Sequence, residues 1–202
     1  MNGQPFFGHL VNEANQDRKR LLEMLVEKSY RPGEVILASG KKSDFYIDCR
    51  QTSLSAEGHL LVGRTIYAII RAEFPDVVAV GGPTLGADPM LSAVSLTSML
   101  EDHPLQAFIV RKQAKGHGTG AWIEGMANLQ AGDKVVVLED VITSGGSALK
   151  AVQRVEEAEL EVMGVIVLVD RLEGGREAIE AAGYRLVALF DRGDFPVSPK
   201  KE

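Results

Sequence analysis

The chain has 202 residues, with 22 Lys+Arg against 28 Asp+Glu, a formal charge of −6. That balance excludes a general nucleic-acid binder, whose phosphate contacts need a basic face, and leaves a local anion pocket open. The single cysteine, Cys49, excludes a disulfide framework and a Cys-rich zinc site and fits a reducing compartment, while 45% apolar and 25% charged residues describe an ordinary globular chain. A chain this long buries roughly 70% of its unfolded surface, enough for one compact domain. Residues 1–12 lack the basic and apolar regions of a signal peptide, and the longest aliphatic run, Val165–Val169, is far short of a membrane span. The expected place is the cytoplasm.

From Asp17 to Tyr30, Leu21, Leu22, Leu25 and Val26 recur at helical spacing, and Pro32-Gly33 is read as the stop. A polar, extended stretch, Ala38–Asp48, follows. Ser55 is placed to cap a second helix running to about Phe74. Residues 1–55 are thus expected to form an N-terminal helix and extended segment, and 56–202 the core of one compact domain.

After Pro75, short β-branched runs (Val77–Val80, Ala107–Val110, Lys134–Leu138, Gly164–Val169, Arg185–Phe190) alternate with helical stretches near Gly86–Leu100, Ser147–Leu160 and Gly175–Ala182. Strands that are continuous apolar runs are buried on both faces. The pattern predicts an α/β fold, a doubly wound and mostly parallel sheet flanked by helices. In such sheets ligands bind beyond the carboxyl ends of the strands.

The run Val135–Ser147 is the most informative. A buried strand meets two carboxylates, Glu139 and Asp140, then Val141-Ile142 and a small loop, Thr143-Ser144-Gly145-Gly146-Ser147, that opens a helix. Glycines let backbone N–H groups curl around an anion, hydroxyls add donors, and the helix N-terminus adds its dipole. The acids would repel that anion, but they suit vicinal hydroxyls. The ligand so described carries a phosphate and a sugar diol together. Neither G-x-G-x-x-G after a strand nor G-x-x-x-x-G-K-[ST] occurs.

A second strand leads into Arg111, Lys112, Lys115 and His117, interleaved with Gly116, Gly118 and Gly120, with no acid between Asp102 and Glu124. This basic island reads as a mobile lid over a polyanion. Asp170-Arg171, beyond the Gly164–Val169 strand, is read as a site pair, with the arginine's planar fork facing a carboxylate or paired carbonyl. Gly81–Gly86 is either a close backbone approach to a ligand or only a turn. His9, His59 and His103 lack metal-ligand spacing.

These motifs resemble those of the type I phosphoribosyltransferases. The wording of Glu139–Ser147, of Arg111-Lys112-x-x-Lys115-x-His117-Gly118 and of Ser39-Gly-Lys-Lys-Ser-x-Phe-Tyr-Ile-Asp48 is similar to the orotate branch of that family. The resemblance implies transfer of ribose 5-phosphate from phosphoribosyl pyrophosphate (PRPP) to orotate, in UMP biosynthesis. It implies that Glu139 and Asp140 hold the ribose hydroxyls, that Val141 and Ile142 belong to the PRPP site, and that Thr143 through Ser147 bind the 5′-phosphate, with Thr143 also near orotate. Arg111, Lys112, Lys115 and His117 would grip pyrophosphate, and Lys115, His117 and Asp140 would be the catalytic set. Arg171 would contact orotate, and Tyr46 and Ile47 would roof the base. The resemblance further implies Mg²⁺ carried mainly by PRPP, with no dedicated protein metal site, and a homodimer with shared active sites. Neither nucleic acid nor membrane is an expected partner. Some members carry lysines where this chain has Ala38 and Gly86, so two cationic contacts to PRPP are either missing here or supplied elsewhere, as by Lys41 or Lys42. The rivals are a purine or uracil phosphoribosyltransferase and a PRPP-sensing regulator without catalysis. The complete set of lid cations and Arg171 speak for the orotate enzyme.

Overall fold

A computed structural model of the chain describes residues 6–36, 42–113 and 122–196. Helix α1 (Phe6–Met24) passes into a π-helical turn (Leu25–Ser29), and strands β1 (Tyr30–Ile36) and β2 (Lys42–Ile47) pair as an antiparallel ribbon. The first helix therefore begins earlier than its apolar spacing indicated and ends at Ser29. Pro32-Gly33 does not stop it. Those residues lie within β1, at the register shift between Pro32 and Val35, and a two-stranded ribbon tolerates a missing N–H there.

Short helix α2 (Arg50–Ser53) leads to α3 (Ala56–Glu73). Ser55 caps α3 as expected, its hydroxyl accepting from the Gly58 N–H at 3.2 Å. Then come β3 (Ala79–Pro83), α4 (Asp88–Leu100), β4 (Gln106–Val110), β5 (Ile123–Glu124), β6 (Lys134–Ile142), α5 (Gly146–Glu157), β7 (Glu161–Asp170), α6 (Gly175–Ala181) and β8 (Leu186–Asp191). The main sheet has the order β5-β4-β3-β6-β7-β8, parallel except for β5, which runs against β4.

The chain builds outward from β3 in one direction through β4 and in the other through β6. The strand order reverses between β3 and β6, which is where an open α/β sheet leaves a crevice.

Alternation along each strand divides the core in two. Val136 and Leu138 of β6, with Ile166 and Leu168 of β7, join α3, α4, the ribbon and Leu21–Leu25 of the first helix and its π-turn. Val135 and Val137, with Val165 and Val167, face Ala148, Val152 and Val155 of α5 and Ile179 of α6. Residues Val135 to Leu138 have no exposed surface. Each such aliphatic side chain contributes roughly 1.5–3 kcal/mol of burial.

The strand carrying the acid pair is longer than its apolar run suggests. Pairing with β7 continues through Glu139↔Val167 and Val141↔Val169 to Ile142↔Asp170, so Glu139 and Asp140 belong to β6 itself. A neighbouring strand that keeps supplying ladder partners carries two carboxylates into a sheet that propensity alone would end at Leu138.

Candidate active site

Glu139 is 6% exposed, and burial followed by the neighbouring charge of Asp140 pushes its carboxyl up to about 8, partly offset by a hydrogen bond from Ser147. Burial also raises Asp140, against the pull of the Val141 N–H (2.9 Å) and the positive charge of Arg50. Glu139 Oε2 is buried and has no partner among the described residues. A buried carboxylate pair in this condition calls for hydroxyl donors or a cation from a ligand.

Beyond β6 the chain turns through Thr143 and Ser144 to Gly145, which adopts φ +80° directly before α5. A Cβ there would also press on the Gly175 carbonyl. No side chain caps α5, and Ser144, Gly146 and Ser147 are exposed, so the first backbone N–H groups of a twelve-residue helix face outward.

Glu139, Asp140, Val141 and Ser147 line a cavity of about 250 Å³ together with Tyr46, Ile47, Asp48 and Arg50 from the ribbon side, Thr84, Leu85 and Gly86 after β3, and Lys112 after β4. Four chain segments remote in sequence therefore meet at the crevice predicted by the strand order. A larger cavity of about 430 Å³ adjoins it and shares Thr84 and Lys112. It holds Arg111, Asp88 and Glu124 but none of the β6–α5 residues, so the carboxylate and phosphate-cradle chemistry belongs to the smaller cavity.

The loop after β3 makes a close approach. The Thr84–Leu85 peptide is cis, and a Cβ on Gly86 would overlap the Asp140 carboxylate. Of the two readings left open for Gly81–Gly86, the loop is more than a turn, since three of its residues line the cavity beside the acids.

Tyr46 is 42% exposed and Ile47 buried, and both line the cavity. Arg111 pairs with Glu124 (Nη1–Oε1 2.9 Å), and its N–H donates to the Trp122 carbonyl (2.8 Å), so the two ends of the basic segment are tied together. The Trp122 ring packs 3.9 Å from the Arg154 guanidinium. Lys115 and His117 lie outside the described residues, as do Ala38 and Lys41.

Three sequence expectations are placed differently. Ile142 is 2% exposed and packs into the core on the α5 side, so its side chain is turned from the cleft. Arg171 is 5% exposed and lines neither cavity; its Nε donates to Glu173 (2.8 Å) and its guanidinium covers the Phe45 ring at 4.1 Å, behind the ribbon. Asp170 is fully buried and is held by Arg176 (3.2 Å) and the Leu172 N–H (2.9 Å), which fixes the turn after β7. Conversely, sequence reasoning missed Asp48, Arg50 and Thr84. The Asp-x-Arg spacing is common, and nothing in it announces a cleft.

Among the described residues no group of three or more His, Cys, Asp or Glu could hold a metal ion, and no helix is long and apolar enough to cross a membrane. Glu139 and Asp140, with an unpartnered oxygen, suit a divalent ion that arrives with ligand oxygens, since Mg²⁺ is commonly bound through one or two carboxylates plus substrate phosphates.

The family model of the phosphoribosyl transferase domain matches residues 51–187, and the chain belongs to that family. Within it the chain groups with the orotate phosphoribosyltransferases. The orotate phosphoribosyltransferase of Sorangium cellulosum is 52% identical over 179 residues, covering 89% of this chain and 93% of that one. A structure of Mycobacterium tuberculosis H37Rv orotate phosphoribosyltransferase with Fe(III) dicitrate superposes with a TM-score of 0.74 at 39% identity, covering 88% of this chain and 98% of the other. The same enzyme in complex with PRPP gives a TM-score of 0.69 at 33% identity, over 90% and 92% of the two chains.

Proposed function

We propose that the protein transfers the ribose 5-phosphate group of PRPP to orotate, forming orotidine 5′-monophosphate and pyrophosphate. The observation that carries this reading is the Glu139–Asp140 pair, with the buried Glu139 Oε2 unpartnered among the described residues, running directly into the uncapped start of α5. That run offers hydroxyl acceptors and a phosphate cradle in one covalent stretch, and a ribose phosphate presents the complementary groups in the same order.

A nitrogen lone pair of the orotate ring forms the new bond to the anomeric carbon. The bond from that carbon to the pyrophosphate oxygen breaks, and its electron pair leaves with pyrophosphate. Positive charge develops at the sugar in the transition state and negative charge on the leaving group. Catalysis then rests on positioning and charge stabilisation, with no covalent enzyme nucleophile. Asp140 and Glu139 anchor the ribose, Thr143 to Ser147 hold the 5′-phosphate, and Arg111, Lys112, Lys115 and His117 neutralise pyrophosphate as it departs. Tyr46, Ile47 and Thr143 are assigned to the base, and Arg171, which lines neither cavity, supports Phe45 in the ribbon that carries Tyr46 and Ile47. Glu139 and Asp140 would help to hold a Mg²⁺ ion brought in by the donor, and its chemistry there would be to neutralise charge on the leaving group.

We also propose a homodimer with shared sites, on the strength of the family resemblance. Leu96, Met99 and Leu100 of α4 stand 59%, 63% and 74% exposed in the single chain, a face that a second copy would cover. The cytoplasm remains the proposed location.

An absorbance assay with PRPP and Mg²⁺ tests the activity against orotate, uracil, adenine, guanine and hypoxanthine in parallel. Turnover of orotate alone is expected. Turnover of another base would keep the donor site and overturn the orotate assignment, and PRPP binding without any turnover would make the protein a regulator.

A further inference from the structure

We propose that Arg50 binds the pyrophosphate group of the donor and that Asp48 is the positioning residue that aims it. This rests on the PRPP reading above, which it extends to a residue on the ribbon side of the cleft. The charged groups lining the cavity are Asp48, Glu139 and Asp140 against Arg50 and Lys112. Without Arg50 the described lining would be three carboxylates and one lysine, a field hostile to a polyanion. The phosphate cradle and the acid pair already account for the 5′-phosphate and the diol. The anionic group left over is the pyrophosphate, attached at the carbon next to that diol.

Arg50 is held ready for such a contact. Its Nε and Nη2 donate to the two oxygens of Asp48 at 2.7 and 3.1 Å, a two-pronged clamp that leaves Nη1 with no acceptor among the described residues. Asp48 also accepts from the Arg50 N–H and from Gln51 Nε2, both at 3.2 Å. The acid is the sheltered partner, with 13% of its side chain exposed against 42% for the arginine. Asp48 is thus the fixed base, and Arg50 projects from it into the cavity. An ordinary surface pair would have neither this asymmetry nor a place beside a buried carboxylate. Across the cavity a Cβ on Gly86 would displace the Asp140 carboxylate, and the glycine supplies no cation on that side of the acids. The fork of an arginine matches paired phosphate oxygens in a way a lysine does not.

The test uses full-length Arg50→Gln, Arg50→Lys and Asp48→Asn, each checked for folding by thermal melting. Steady-state kinetics give KM for PRPP and for orotate, and calorimetry gives the affinity for pyrophosphate with Mg²⁺, a readout independent of turnover. Arg50→Gln is expected to raise KM for PRPP and weaken pyrophosphate binding by about tenfold to a hundredfold, with KM for orotate unchanged. Arg50→Lys should recover part of the loss, and Asp48→Asn should show a smaller loss confined to the same two quantities. Wild-type PRPP and pyrophosphate constants in Arg50→Gln would overturn the proposal. So would a change in KM for orotate alone, or equal losses of stability in Arg50→Gln and Asp48→Asn with no preference for PRPP. A wild-type protein that turns over no base would instead strike the broader reading, while the pyrophosphate titration would still judge Arg50. If Arg50→Gln does not fold, Arg50→Lys and the titration carry the decision.

Discussion

Glu139 to Ser147 reach the cleft as one continuous run, leaving a strand flanked by β3 and β7, whereas Tyr46, Ile47, Asp48 and Arg50 reach it from a two-stranded ribbon and a single helical turn. The floor inherits its geometry from covalent neighbours and from ladder pairing that β7 continues through Ile142. The roof depends on distant residues. Tyr30 stacks between Phe45 (5.7 Å) and Phe195 (5.6 Å), while Phe45 lies under the guanidinium groups of Arg171 and Arg192 (4.1 and 4.4 Å). Ser29 and Thr52 join across the base of the ribbon through their hydroxyls at 2.7 Å. Fixed chemistry on one side and a roof assembled by tertiary packing on the other allow the roof to yield while the acids stay in place. Elements with few ladder neighbours occupy the low end of local stability.

Phe45→Ala should break this contrast most severely. It removes the ring shared by one aromatic and two arginine contacts, at 2% exposure, and should cost about 3–5 kcal/mol, read as a melting temperature lower by roughly 10 °C. The roof should loosen, so KM for the base should rise more than kcat falls.

Gly86→Ala sharpens the contrast from the other side. Its new methyl would displace the Asp140 carboxylate, so kcat/KM should fall by about tenfold or more while the melting temperature changes less than in Phe45→Ala. Kinetics beside melting curves for the two variants would separate floor from roof.

The smallest effect concerns pH. Glu139 is raised from an ordinary value of 4.5 to about 8. Below pH 4.5 both folded and unfolded states hold the proton. Between there and pH 8 the unfolded chain ionises first, so stability falls as pH rises. Glu139→Gln lacks that loss and should melt a few degrees above the wild type at pH 9, with the gap closing toward pH 5, when both are scanned without ligand.

The floor was legible because its chemistry is local: acids, hydroxyls and glycines succeed one another in nine residues. Within it the Ile142 side chain packs on the α5 side, the face of Val135 and Val137, where a strict two-residue period continued from Val136 and Leu138 would not place it. Of the roof, only Tyr46 and Ile47 were named, and those through the family resemblance. Pro32-Gly33 is strong turn punctuation, and the sequence carries no sign that β1 would continue through it. Arg171 was found by its place after a strand, but the direction of its side chain depends on Phe45, far away in the chain. Arg50 was missed for the same reason, since only the folded ribbon brings it to Asp140.

Trp122 is the one tryptophan of the chain, and it stands at the end of the basic segment with its carbonyl tied to Arg111 and its ring against Arg154. With no second indole to dilute the signal, its fluorescence is a built-in optical probe of the surroundings of Arg111 and Arg154. Adding pyrophosphate to the unlabelled protein would turn the emission spectrum into a direct record of anion arrival at Arg111, in real time and without a reaction.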